Sequence, residues 1–266
     1  VANDVNPQRC STLVHQLRLS GMGLCVVTNF DARNFPSIPG EGGGGFFERV
    51  VADVPCSGDG TLRKSPDLWR RWNKGMGLAM HPLQSQVAWR AAELLRAGGY
   101  MSYSTCSLNP LENEAVVANL LRRSRGTLRL VDLHDVTLPA LATAETRELR
   151  GGASLKDLYR MRRSLPADSD SMDSLDEAQT IRDAICRLGK LKRVKGLNFW
   201  KADNSSAGDR CDFWRSVLPP SDSEVRWMHL ERCLRVLPQH QNTGGFFVAL
   251  IHKRSALPPQ RQQDAN

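Results

Sequence analysis

The sequence predicts an α/β fold built on a parallel sheet, and three observations carry that expectation. Short apolar, β-branched runs alternate with helix-like segments of about 10–15 residues through the first half of the chain, the pattern of βαβ units. The runs at VVADVP and YMSYST lead into Pro, Ser and Gly, as buried strands do when they leave a sheet for a loop. Near the end, ERCLRVLP and GGFFVALIHK are spaced as an antiparallel pair that closes such a sheet. With 266 residues and 41% hydrophobic content, the chain has enough apolar material for one sizeable core. Only 6% of residues are aromatic, so that core must lean on Val, Leu, Ala and Met.

The elements follow in order. VAND reads as a strand end, residues 6–20 as an amphipathic helix closed by Gly21 to Gly23, and Leu24 to Phe30 as the next strand. The EGGGG tract, Glu41 to Gly45, is a linker into the strand FFERVVADV. Residues 84–97 predict a helix ended by Gly98 and Gly99 at its C-cap. The strand YMSYS, the helix LENEAVVANLLRR and the strand TLRLVDL complete the alternation. The sequence therefore divides into a core segment at 1–136, a basic and partly disordered insertion at 137–223, a closing strand pair at 224–253 and a flexible tail at 254–266. Within the insertion, PADSDSMDSLDE reads as an exposed loop and DEAQTIRDAICRLGKL as a helix.

Composition narrows the function classes. Lys and Arg number 36 against 28 Asp and Glu, a net +8 that fits a polyanionic partner without demanding one. From Arg182 to Lys201 there are seven Lys or Arg against one acid, Asp183; a solvated helix face explains this as well as a nucleic-acid contact does. No run of about 18 apolar residues occurs, so no membrane helix is expected. Seven cysteines with no CxxC pair argue against a disulfide framework and against a zinc site, so no metal is expected. They place the chain in a reducing compartment, nucleus or cytoplasm, with an organelle matrix open. A monomer is expected.

Two of the seven cysteines stand apart from the others. Cys56 in VVADVPCSGDGT and Cys106 in GYMSYSTCSLNP each follow a strand-like run and sit in a tight polar loop. In an open α/β sheet, loops past the carboxyl ends of the strands form the ligand crevice. Two thiols delivered there point to chemistry that uses sulfur twice. Cys25, Cys186 and Cys233 have no such loop and read as small buried hydrophobes.

The strings DVPCSGDGT and STCSLNPLENEAVV resemble the two signature loops of the Sun-domain family of RNA cytosine-5 methyltransferases. VANDV, TLRKSPDLWRRW and WMHLERCLRVLPQHQNTGGFFVALI resemble its tRNA-modifying branch, and the likeness covers residues 1–133 and 227–252. The resemblance implies a Rossmann-like class I methyltransferase sheet, S-adenosylmethionine as methyl donor and tRNA as substrate. It also implies a covalent route. Carbon 5 of cytosine is a poor nucleophile until a thiolate adds to carbon 6 and makes it enamine-like. Cys106 would be that nucleophile, and Cys56 would aid its elimination. Asp53 would hold the cytosine edge, where hydrogen bonding lets the ring accept charge. Asp4 would grip the ribose hydroxyls of the donor, and Asp31 its adenine amino group. Asp4 could instead cap the helix that follows, and Asp31 could be a turn residue. Arg63 and Lys64 would contact RNA phosphates, with Trp69 and Trp72 stacking on bases; the two Trp could equally pack a helix onto the core.

The family's glycine-rich donor-binding loop has no counterpart in this sequence. The chain begins VANDV without a Met and is expected to be a fragment, with the central first strand, its loop and its helix upstream. On that expectation the isolated chain binds S-adenosylmethionine poorly and, with strand edges exposed, aggregates readily. Ribosomal RNA as substrate, or a catalytically silent RNA-binding role, are the competing readings.

Overall fold

The structure is a computed structural model and describes residues 1–19, 25–38, 45–73, 75–134, 191–202 and 212–259. The loop PADSDSMDSLDE, the helix at DEAQTIRDAICRLGKL, Cys186 and most of the tail lie outside the described residues. Most of the EGGGG linker lies outside them as well.

The strands are β1 (Ala2–Asn3), β2 (Val27–Thr28), β3 (Phe47–Asp53), β4 (Leu95–Thr105), β5 (Leu128–Leu130), β6 (Val194–Lys195), β7 (Leu234–Val236) and β8 (Phe246–Lys253). The helices are α1 (Pro7–Leu19), α2 (Leu68–Arg71), α3 (Gly75–Leu94), α4 (Glu114–Ser124), α5 (Asp212–Val217), α6 (Asp222–Met228) and α7 (Pro238–Gln241). Among the described residues no helix is long and apolar enough to cross a membrane.

The strands form two sheets. β1 and β2 pair in parallel as a unit of their own, while a six-stranded sheet runs β3-β4-β8-β7-β6 with β5 beside β8. β3 and β4 are parallel, with Asp53 opposite Ser104. β8 then enters antiparallel between β4 on one side and β7 on the other, so the expected antiparallel closing pair is present. Along β8 the buried positions are Phe247, Ala249, Ile251 and Lys253, a strict alternation hidden inside a uniformly apolar string. These residues meet Met101 and Tyr103 of β4, and α3 and α4 cover them with Ala88, Ala92, Val116, Val117 and Leu121. Each fully buried Val, Leu, Ile, Phe or Met among them contributes roughly 1.5–3 kcal/mol of apolar transfer.

Three expectations change here. Helix α3 stops at Leu94, and Gly98 and Gly99 lie inside β4 rather than at a C-cap. The cause is Lys253, 2% exposed, whose Nζ donates to the carbonyls of Ala92 and Leu95 at 2.7 and 2.5 Å and so caps α3 from across the sheet. The two glycines instead lie beside a register shift between Phe47 and Arg49, where Gly98 takes φ +79° and a Cβ on Gly99 would sit 2.9 Å from the carbonyl of Glu48. The strand expected over Leu24–Phe30 is only two residues long. Part of the 137–223 segment belongs to the core: β6 pairs with β7, and Trp200, 6% exposed, donates its Nε1–H to the Val217 carbonyl.

The β1–α1–β2 unit is held differently. Helix α1 has no buried residue. Just past the unit, the Phe35 carbonyl accepts from Arg90 of α3 at 2.5 and 2.8 Å and Ser37 Oγ accepts from it at 2.9 Å.

Candidate active site

Parallel pairing of β3 and β4 sends both strands out of the sheet at the same edge. Cys56 follows β3 by three residues and Cys106 follows β4 directly, so the two thiols meet with Sγ atoms 3.3 Å apart. Neither is in a disulfide. Backbone contacts stitch the loops together. Gly60 N–H donates to the Cys106 carbonyl at 3.0 Å and Gly245 N–H to the Gly60 carbonyl at 2.6 Å. A Cβ on Gly60 would lie 2.6 Å from the Cys106 carbonyl oxygen, so only glycine allows this approach. Leu108 N–H donates to Asp59 Oδ1 at 2.6 Å, a third link between the loops.

The two thiols are not equivalent. The Cys56 S–H donates to Cys106 and favours its thiolate, which brings Cys106 down to about 7 against the opposing effects of burial and of Asp53 and Asp59. The same bond, burial and the Cys106 charge push Cys56 up. Cys106 is therefore the thiol that ionises first.

Glu112 lies beneath both loops, fully buried. It accepts from Ser57 N–H at 2.7 Å, Ser57 Oγ at 2.5 Å, Ser107 Oγ at 2.7 Å and Gln84 Nε2 at 3.1 Å. The sequence offered a faint signal for it: a serine follows each cysteine, and a carboxylate lies six residues beyond Cys106. The Cys106 loop is also braced by Thr105 Oγ1 donating to Asn113 at 2.6 Å and by Tyr103 O–H donating to the Glu112 carbonyl at 2.6 Å.

Asp53 lies exposed at the end of β3, accepts from Ser104 Oγ at 3.4 Å, and faces a cavity of about 220 Å³ that Val1 and Asn3 line from the β1 side. Asp4 and Asp31 sit just past the ends of β1 and β2, and no contact joins them to the thiols among the described residues. Asp4 accepts from Asn6 N–H and pairs with Arg9 Nε, both at 2.9 Å, while Asn6 takes the helix-capping position. Asp31 caps the turn at Ala32–Asn34, and the Arg33 guanidinium beside it holds its carboxyl below the usual range. Arg63 and Lys64 are exposed on the turn after the Cys56 loop. Trp69 and Trp72 on and after α2 are 69% and 41% exposed, so they do not pack that helix onto the core. Cys233 is buried as expected, and Cys25 is only half-buried. Among the described residues no group of three or more His, Cys, Asp or Glu is placed to hold a metal ion.

The α/β sheet, with two parallel strands that deliver a pair of thiols to one edge, fits the Rossmann-like methyltransferase core of the family that the chain matches. The profile described as 16S rRNA methyltransferase RsmB/F matches residues 1–175, and the chain belongs to that family. The multisite-specific tRNA:(cytosine-C(5))-methyltransferase trm4b of Schizosaccharomyces pombe is 36% identical over 97% of this chain and 33% of its own length. Ribosomal RNA small subunit methyltransferase F of Shewanella piezotolerans is 35% identical over 50% of this chain and 27% of its own. The solved structure of NSun6 from Pyrococcus horikoshii with SFG shares the fold, with TM-score 0.52 and 18% identity over 96% of this chain and 41% of that one. The chain spans about a third of the length of the curated tRNA methyltransferases it matches.

Proposed function

We propose that this chain serves methylation of carbon 5 of cytosine in tRNA, with S-adenosylmethionine as methyl donor. The observation that carries the reading is the thiol pair at 3.3 Å, in which one thiol is already biased toward thiolate. Cytosine needs such a nucleophile. Bond formation from the Cys106 sulfur to carbon 6 opens the 5,6 double bond and concentrates electron density on carbon 5. After methyl transfer a water molecule takes the carbon 5 proton, the C–H electron pair reforms the 5,6 double bond, and the sulfur–carbon bond breaks with its electrons on the Cys106 sulfur. Cys56, protonated beside it, aids that elimination by donating its S–H to the departing thiolate. Asp53 would receive the cytosine edge from the end of β3.

The donor is supported by the family and by the neighbour solved with SFG, an analogue of S-adenosylmethionine. Asp4 and Asp31, carboxylates after adjacent parallel strands, suit ribose hydroxyls and an amino group respectively. Each holds an arginine, Arg9 or Arg33, that a ligand would share or displace. When bound, the donor supplies an electrophilic methyl group.

RNA as partner is supported by the exposed segment Arg63, Lys64, Trp69, Arg70, Arg71 and Trp72, directly after the Cys56 loop. Cations there reach phosphates and indoles offer stacking faces. The tRNA relative aligns over 97% of the chain and the ribosomal one over 50%, which favours tRNA. The test is methyl transfer by the full-length protein to unmodified tRNA, with bisulfite sequencing of the product. Conversion-resistant cytosines in tRNA are expected; their absence from tRNA and presence in ribosomal RNA would overturn the choice of substrate.

A further inference from the structure

We propose that Glu112 is the positioning residue that keeps the two thiols at contact, by tying the residue after each cysteine to one buried carboxylate. The inference rests on the reading of the thiol pair given above. Three observations carry it. First, Glu112 is fully buried, and its hydrogen-bond partners among the described residues are all uncharged; burial of that kind is costly unless every lone pair finds a donor. Second, the four donors are divided evenly: Oε1 takes Ser57 N–H and Gln84, while Oε2 takes the Ser57 and Ser107 hydroxyls. Ser57 and Ser107 are the immediate neighbours of Cys56 and Cys106, so one carboxylate fixes both loop tips. Third, the surroundings leave it no freedom. Gln84, also fully buried, bridges Glu112 to the Pro55 carbonyl at 2.9 Å, and a Cβ on Gly77 would already lie 3.3 Å from Oε2.

A Gln side chain of the same shape can keep the pattern: its oxygen accepts from Ser57 N–H and Gln84, and its NH2 donates to the Ser57 and Ser107 hydroxyls, which accept as well as donate. A Leu side chain of similar volume accepts nothing, so both loop tips lose their anchor. The S–H···S contact then lengthens, and with it goes the bond that favours the Cys106 thiolate.

The test is the Glu112→Leu variant, with Glu112→Gln as the conservative control that should keep the parent behaviour, and with two readouts. In the full-length protein, the pH dependence of Cys106 alkylation by iodoacetamide, resolved by peptide mass spectrometry, should have a midpoint near 7 in the parent. In Glu112→Leu it should move up by about one unit or more toward that of a free thiol. In the full-length protein the pH–rate profile of methyl transfer should shift the same way. There kcat should fall about 10²-fold while KM for tRNA changes much less. Ser107→Ala, which removes one donor and keeps the loop, should shift the midpoint in the same direction by less, and it serves if Glu112→Leu does not fold. An unshifted midpoint in folded Glu112→Leu, or in Ser107→Ala where the former does not fold, overturns the proposal, whatever happens to the melting temperature. A shifted midpoint in a protein that methylates no RNA supports the positioning role and removes the cytosine reading instead.

Discussion

Replacing Cys56 by Ala in the full-length protein should leave tRNA covalently attached to it, whereas Cys106→Ala should neither methylate nor attach. The asymmetry follows from the site. Cys106 is the thiol held near pH 7, so at neutral pH it carries the thiolate that adds to carbon 6. Losing it removes the only step that activates carbon 5, and transfer should fall on the order of 10⁴-fold or more, the usual scale for a deleted nucleophile. Cys56 is pushed the other way and stays protonated through the same pH range. It is in contact with the sulfur that must leave, so its loss stalls elimination; addition slows as well, because the S–H that favours the Cys106 thiolate is gone, but each adduct that forms is trapped. Denaturing gel electrophoresis with labelled tRNA reads both outcomes directly. A slow-migrating protein–RNA band in Cys56→Ala and none in Cys106→Ala is expected. Bands of equal strength in the two variants, or a band in Cys106→Ala alone, would reverse or dissolve the division of labour. The pH dependence has a fixed sign: adduct formation rises with pH because the reacting form is the deprotonated one, and in Cys56→Ala the rise comes at higher pH than in the parent because the S–H donor is gone.

Why this much was readable from sequence, and no more, comes down to which signals are local. The two cysteine loops were legible because each combines a β-branched strand with a Pro or Ser exit, and parallel pairing then brings any two such exits to one edge. The strands at Phe47–Asp53 and Phe246–Lys253 and the helix at Glu114–Ser124 were legible from apolar runs and periodicity. Glu112 was not. In LENEAVV it looks like one of two acids in the first turn of a helix, where carboxylates usually face water. Both Glu112 and Glu114 are in fact fully buried, because their partners come from elsewhere in the chain: Ser57 and Gln84 for one, Arg235 for the other. The end of α3 was misread for the same reason. Glycines at Gly98 and Gly99 are the local cue for a C-cap, yet the cap arrives from Lys253, 161 residues beyond the carbonyl of Ala92. Local chemistry names the punctuation of a chain, and distant donors overrule it.

Arg235→Met should be the most damaging single substitution away from the thiols. Arg235 Nε and Nη2 hold Glu114 at 2.6 and 2.5 Å, with the two side chains 6% and 0% exposed. Its Nη1 also donates to the Leu108 carbonyl at 2.9 Å, in the loop that carries Cys106. Glu114 in turn accepts from Leu197 N–H at 3.0 Å, so the pair ties α4, β7, the Cys106 loop and the segment after β6 to one point. Methionine fills much of the arginine volume but leaves a buried carboxylate without its cation, which costs about 3–5 kcal/mol. That is a large share of the ~5–15 kcal/mol that holds a domain of ordinary stability. Urea unfolding of the full-length protein followed by circular dichroism measures it. Adding Glu114→Leu to Arg235→Met removes the orphaned charge, so the double variant should be more stable than Arg235→Met alone. A double variant less stable than the single would mean that the packing of these side chains, not the unpaired charge, sets the cost. Because Leu108 hangs on the same guanidinium, Arg235→Met should also loosen the Cys106 loop before the fold is lost. Alkylation of Cys106 would then report that loosening at urea concentrations below the unfolding midpoint.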